Sequence, residues 1–500
     1  MVENTRRAFL KTLSATALAV GGVGKVGAQQ SGGQEQVTAT SGVLELEAHS
    51  LLSDPPGGFS EVDVRADGQY TVMGSYLGEG GSFLADLSDL SNPTEAHRLP
   101  SSASTRNADV KFDSRDGLYY RSQEPNDDQG MGGVEVVDYG HDAGSVSEPE
   151  VVGRVDRPSG VHNMDAHYSE PVLYLVNSRV DDMGDAENPS GSAPGITVVD
   201  TSDPANPERV TTVEPLGSNH DVVVDENRDM LHSAFIAGEF VGYAVHDISD
   251  PRSPELVGTF DYKYRPNYSE VGEVGFELCH YAHPDPEEDL VIVGDEKGTG
   301  LPGGKHVLDV GWQDGSFEDP VHVGFVHSPN AKSQDGEFAL YDWTTHNHEV
   351  VYKNGTRLLV DGGYHEGAVV YDLSDPTNPV AAHQYLTIDG AEEAQGADWI
   401  GDPPMAWGAN YNDERDFVAV SDLETGLYVF RVSDEESPVR TVEEQLDRDG
   451  DGELTQADVQ RAISYWEDGE TVPNTGVAGD NVEMTTDRLQ QVLRSARQSQ

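Results

Sequence analysis

The sequence predicts an all-β fold, a seven-bladed β-propeller, with a small helical domain at its C-terminal end. Three observations lead there. A short strand recurs seven times between residues 57 and 441, ending in Asp in six copies and in Arg431 in the seventh. Gly (54) and Pro (27) are abundant enough to punctuate many turns. Residues 442–500 then change to helical spacing, with Val459, Ala462, Ile463 and Trp466 on one face.

Taken in chain order, residues 1–28 read as a twin-arginine signal peptide. Arg6-Arg7 precedes an apolar stretch from Leu13 to Val23, and Val26-Gly27-Ala28 supplies the small residues of a cleavage site. The expectation is a protein exported folded and extracellular, with no membrane span, since no later segment is apolar enough to cross a bilayer. The lone Cys279 excludes an internal disulfide. Residues 29–56 form an N-terminal segment in which Val43–Ala48 is expected to supply the outer strand of the last blade and close the ring.

Residues 57–441 carry the repeat. Its clearest copies are Ile196–Pro204, Tyr243–Pro251 and Ala368–Pro376, each a strand ending in Asp and running into Ser-Asp-Pro or Thr-Ser-Asp-Pro. Weaker copies end at Asp86, Asp138, Asp309 and Arg431. An Asp at a strand end bonds nearby backbone N–H groups, and the following Pro cannot continue a sheet ladder. With two short strands upstream of each copy and one downstream, the unit is four strands. These repeats resemble the LVIVD-repeat family over about residues 57–441, which implies the propeller and leaves the activity open.

Counting back ten residues from the second strand of each unit places His162, His220, His280 and His348 at one inner-strand position in four consecutive blades. The same count gives Val62, Ala108 and Trp407 in the other three. Imidazole nitrogens suit Fe, Cu, Zn or Mn. Asn163, Asp221, Glu349, His283, His346 and His365 stand near enough in sequence to orient such ligands. In arrangement this is similar to the carotenoid-cleavage oxygenases and the copper-dependent methanethiol oxidases, propellers with histidine-rich centres. The competing reading is a ring of polar residues, copied by duplication, that bonds backbone and water in a wet channel. His49, His97, His141 and His383 read as surface residues. Cys279 and His280 are adjacent on a strand and so point to opposite sides, which disfavours a thiol nucleophile.

Beyond the propeller, Asp447, Asp449, Asp451, Glu453 and Asp458 fall at positions 1, 3, 5, 7 and 12 of an EF-hand loop, with Gly452 at the turn position. The expected cofactor is Ca2+. Residues 442–500 resemble an EF-hand or dockerin-like module with one live loop, because the second half has Gly476 and Ala478 where ligands would stand.

Charge closes the list of exclusions. With 31 Lys+Arg against 90 Asp+Glu the net charge is −59, which argues against a nucleic-acid partner. Acids interleaved with apolar runs such as Leu290–Val293 read as a folded, salt-adapted surface, and the expected source is an extreme halophile. Two function classes follow: a secreted binding protein for a protein or glycan at the cell surface, oligomeric state open, or a metal-dependent (Fe or Cu) oxidoreductase at the propeller axis.

Overall fold

In the computed structural model seven antiparallel sheets follow one another along the chain. The structure describes residues 41–55, 57–77, 80–177, 195–213, 215–297, 303–331, 344–396, 403–436, 442–446, 454–469, 471–472, 475 and 482–498. The signal segment 1–28 and the calcium-loop residues Asp447, Asp449, Asp451 and Glu453 lie outside them. Blades 1 to 6 span residues 59–99, 105–156, 163–212, 218–261, 279–327 and 348–385. Each has four strands in sequence order, except that the inner strand of blade 2 is split into Thr105–Arg106 and Val110–Phe112. Blade 7 takes three strands from 406–436 and its outer strand from Ser41–Ser50, which pairs antiparallel with Gly426–Glu436. The propeller is therefore closed by the two ends of one compact unit, Ser41–Ser437.

Position in the blade explains the sequence pattern. The second strands Val172–Val176 and Leu290–Asp295 are buried at every residue, because neighbouring blades cover both faces. That is why these runs are continuously apolar and not alternating. Outer strands such as Glu208–Thr212 face solvent and are polar. The apolar cores sit between blades: Leu44, Val360, Val370, Val418 and Phe430 form one such layer across blades 6 and 7. Burying a Leu or Val there contributes about 1.5–3 kcal/mol each.

The repeated Asp is the third-strand terminus of its blade. Asp86, Asp200, Asp247 and Asp372 each accept a hydrogen bond from the N–H two residues on, at 2.7–2.8 Å. The second Asp of the motif repeats the device at Asp89, Asp203, Asp250 and Asp375. Where the Ser-Asp-Pro motif is missing, in blade 5, Asp309 alone collects five backbone N–H groups from Gly311 to Gly315. His383, expected at the surface, instead accepts the Leu44 N–H at 3.2 Å and so ties blade 6 to the closing strand.

The other unit, described from Val442, holds helices α1 (Val442–Leu446), α2 (Gln456–Asp468) and α3 (Thr486–Gln498), and a short antiparallel pair, Thr471–Val472 with Val482–Glu483. Trp466, Leu446, Leu454, Ala462, Val472, Met484, Leu489 and Val492 form its core. Thr455 and Asp458 make a reciprocal capping box at the start of α2, and Gly469 ends the helix in the left-handed region at φ 77°.

Candidate functional site: the propeller channel

The inner strand of every blade is an edge, with N–H groups turned away from its own sheet. Such groups need partners. In this channel, side chains of one blade supply them to the next. Asp63 accepts from Phe112 N at 2.6 Å, Asp109 from Met164 N at 2.7 Å and Asp165 from Val224 N at 2.7 Å. Asn410 accepts from Val64 N at 3.0 Å. The acids of the channel thus stitch blade to blade.

Packing these carboxylates together has an electrostatic consequence. Burial pushes Asp63 up to about 7 and Asp109 up to about 8, and raises Glu61, Asp165 and Asp221 as well. Lys111 stands among them, 3.6 Å from Asp109. The facing acids outweigh its own burial and hold it well above the ordinary lysine value. Nearer the mouth of this end, His283 pairs with Glu349 at 3.2 Å and is raised despite its burial. Asp221 accepts from Val222 N at 2.8 Å, and among the described residues no hydrogen bond joins it to a histidine.

At the other end, where the inner strands begin, the layer is made of aromatic rings. His162 lies 4.8 Å from His220, His220 lies 3.9 Å from His280, and His280 lies 4.3 Å from His346, ring centre to ring centre. The row continues to Trp407, 4.7 Å from His346, and to Tyr76, 4.9 Å from Trp407. His220, His280 and Trp407 each sit at a bulge in the hairpin ladder, which turns the residue out of the sheet pairing.

His348 stands elsewhere, and His346, expected to support the site, takes the place in the row. The reason is a hairpin. Asp225 pairs with Met230 five residues on, but Val351 pairs with Leu358, seven residues on. The blade 6 ladder runs two pairs further, into a two-residue turn at Asn354-Gly355, where φ is 50° and 86°. Asn-Gly suits that left-handed turn. A count back of ten from Leu358 therefore stops two residues short of the row. His348 is instead hydrogen-bonded at both nitrogens, accepting from Lys305 Nζ at 2.9 Å and donating to the Ile292 carbonyl at 3.2 Å.

Two carboxylates that the sequence reading did not single out join the histidine layer. Glu124 accepts from His162 Nδ1 at 2.9 Å and pairs with Arg106. His162 and Arg106 beside it hold its carboxyl well below the ordinary value in spite of burial. Glu296 lies 3.6 Å from His280 Nε2 and 4.0 Å from His346 Nε2, and burial pushes it up to about 8. Both sit at the end of a second strand, beside the start of the inner strand. Reading across the hairpin from Cys279, which faces Asp295, would have found Glu296.

Burial and neighbouring imidazoles lower His220 and His280, and burial takes His346 down to about 3. All three are neutral donors at neutral pH. Cys279 is fully buried and its thiol is pushed up, so it is not a nucleophile. Asn163 donates to the His220 carbonyl at 2.9 Å. Of the five calcium-loop candidates Asp458 alone is described, and its carboxylate accepts from Thr455 N at 2.7 Å.

Residues 217–262, which are blade 4, match the model of the LVIVD repeat. Among curated proteins the chain finds no match. Among solved structures it is similar to one titled "Structure of U3-55K", at 8% identity, with 78% of this chain and 98% of that chain covered and a TM-score of 0.48.

Proposed function

We propose that this is a secreted binding protein whose propeller recognises a glycan or protein at the cell surface, with the C-terminal domain as a calcium-loaded tether. The observation that carries the reading is the mouth at the carboxylate end of the channel. It is a cavity of about 480 Å3 shared by blades 4 to 7 and lined by Asp225, Glu226, Glu349, Tyr352, Tyr411 and Asp413 among others. Tyrosine faces with carboxylate acceptors beside them suit the two sides of a sugar ring, its C–H face and its hydroxyls. Of the two partner classes the cavity favours the glycan.

An oxidoreductase at the histidine end is less well supported. Such an enzyme needs a metal position open to substrate, and His162, His220, His280 and His346 are 6, 5, 1 and 2% exposed. Cell-surface polysaccharide applied to the full-length protein in molar salt tests the binding reading. Binding is expected, and Tyr352→Ala with Tyr411→Ala is expected to weaken it about tenfold or more. Equal binding by the double variant removes the cavity from the reading. Absence of both glycan and protein partners removes the reading itself. For the tether, Asp447→Ala with Asp451→Ala should unfold residues 442–500 while the sheet signal of the propeller persists, and a chelator should do the same.

A further inference from the structure

The histidine end of the channel is built in a way that sugar or protein recognition at the opposite mouth does not use. Rings from four consecutive blades stand in one row, at spacings of 4.8, 3.9 and 4.3 Å. Three of them have Nδ1 against an oxygen: Glu124 for His162 at 2.9 Å, the His280 carbonyl for His220 at 3.2 Å, and the Trp407 carbonyl for His346; the Asn163 amide nitrogen, 3.3 Å from His220 Nδ1, gives its shorter bond to the His220 carbonyl at 2.9 Å. An oxygen acceptor keeps the proton on Nδ1, which leaves the lone pair on Nε2. The fourth, His280, has no hydrogen-bond partner at Nδ1 among the described residues although it is 1% exposed. Glu296 reaches in between His280 and His346, and His220, His280 and Glu296 each bring a ligand atom within 4.8 Å of the other two.

We propose that His220, His280 and Glu296, with His346 as the fourth ligand, hold one first-row divalent metal ion, Zn2+ fitting best, in a closed structural site that ties the inner strands of blades 4, 5 and 6 together. Nitrogen with one carboxylate is a donor set for borderline metals and not for Ca2+ or Mg2+. Two ligands about 2.1 Å from a tetrahedral ion stand about 3.4 Å apart. The gaps of 3.6 and 4.0 Å around Glu296 are near that spacing, and His346, which lies outside the group of three within 4.8 Å, swings in to complete the set when the ion binds. A structural site has every position filled by protein, which agrees with imidazoles 1–5% exposed. His162 stays outside the ligand set, committed to Glu124, and buttresses His220.

The test is a titration of full-length protein, stripped with chelator and held in molar salt, first with Zn2+ and then with Co2+. One equivalent is expected to bind, with a Co2+ visible spectrum of tetrahedral intensity, which an all-oxygen loop site does not give. Glu296→Gln and His280→Gln should each weaken binding about 100-fold or more, while His348→Gln should leave stoichiometry and spectrum unchanged. Should His280→Gln fail to fold, Glu296→Gln decides, since that carboxylate is 12% exposed and its amide keeps the shape. No binding by the wild type overturns the proposal. So does binding that survives Glu296→Gln at full strength, or that His348→Gln abolishes. Glycan binding at the far mouth reads out separately, so failure of one proposal is not failure of the other.

Discussion

The two layers of the channel are both buried and both polar, yet they spend their hydrogen-bonding capacity differently. In the carboxylate layer Asp63, Asp109 and Asp165 each give an oxygen to a backbone N–H of the next blade. In the histidine layer each of His162, His220 and His346 commits one nitrogen and keeps the other. The first pattern is what an inner edge strand requires of any propeller. The second exceeds that requirement. A polar residue in a channel says little about function; the atoms left over after the backbone has been satisfied say more.

The largest effect should come from Lys111. It is the cation that offsets Glu61, Asp63, Asp109 and Asp165, and acts on Asp221 too. Lys111→Met leaves those carboxyls facing one another, and about 3–5 kcal/mol of stability should be lost at pH 8 by denaturant titration in molar salt. The loss should shrink at pH 5, where the acids take up protons. An equal loss at both pH values would mean that packing, and not charge, is what Lys111 provides.

A smaller effect separates the layers by pH. Asp63 and Asp109 hold their protons up to about 7 and about 8 when folded, whereas an unfolded Asp releases its proton near 3.8. The folded state therefore binds more protons between those values, and stability must fall as pH rises through that window. The low-lying imidazoles work the other way, but only below about 6.5, where the unfolded chain charges them. His283, raised by Glu349, adds to the fall. Between pH 6.5 and 8 the acids dominate, and Asp109→Asn, whose amide oxygen still accepts from Met164 N, should flatten the decline by about 1–2 kcal/mol. An unchanged slope would place the titrating group elsewhere.

How far the sequence discloses this channel depends on what each feature is counted from. The blades are legible because the Asp-terminated third strand is local chemistry, an Asp bonding its own turn, and it recurs whatever the loops do. The axial residues are counted across a turn, and turns vary. The count succeeds at His162, His220 and His280 and misses by two residues in blade 6, where the hairpin that closes at Asn354-Gly355 is two residues longer. Glu124 and Glu296 were hidden for a different reason. In a chain with 90 acids no single Glu stands out, and only the antiparallel pairing brings these two to the start of an inner strand.

The smallest effect belongs to His348, and it sharpens the contrast between a histidine that is spent and one that is not. Its Nδ1 faces the Lys305 ammonium and its Nε2 faces the Ile292 carbonyl. That arrangement puts the proton on Nε2, the opposite tautomer from the rings in the row. Glutamine offers the same pair, an oxygen to accept from Lys305 and an amide N–H to give to Ile292. His348→Gln should cost less than about 1 kcal/mol and shift the thermal midpoint by a few degrees at most. His348→Leu should cost about 1–3 kcal/mol, because it withdraws the acceptor from a lysine that is 0% exposed. Lys305 would keep Asp361 at 2.7 Å and the His346 carbonyl at 2.6 Å, so the row itself should stand. Equal stability of the Gln and Leu variants would show that His348 only fills space, and that two bonded nitrogens are no guide to what a channel histidine does.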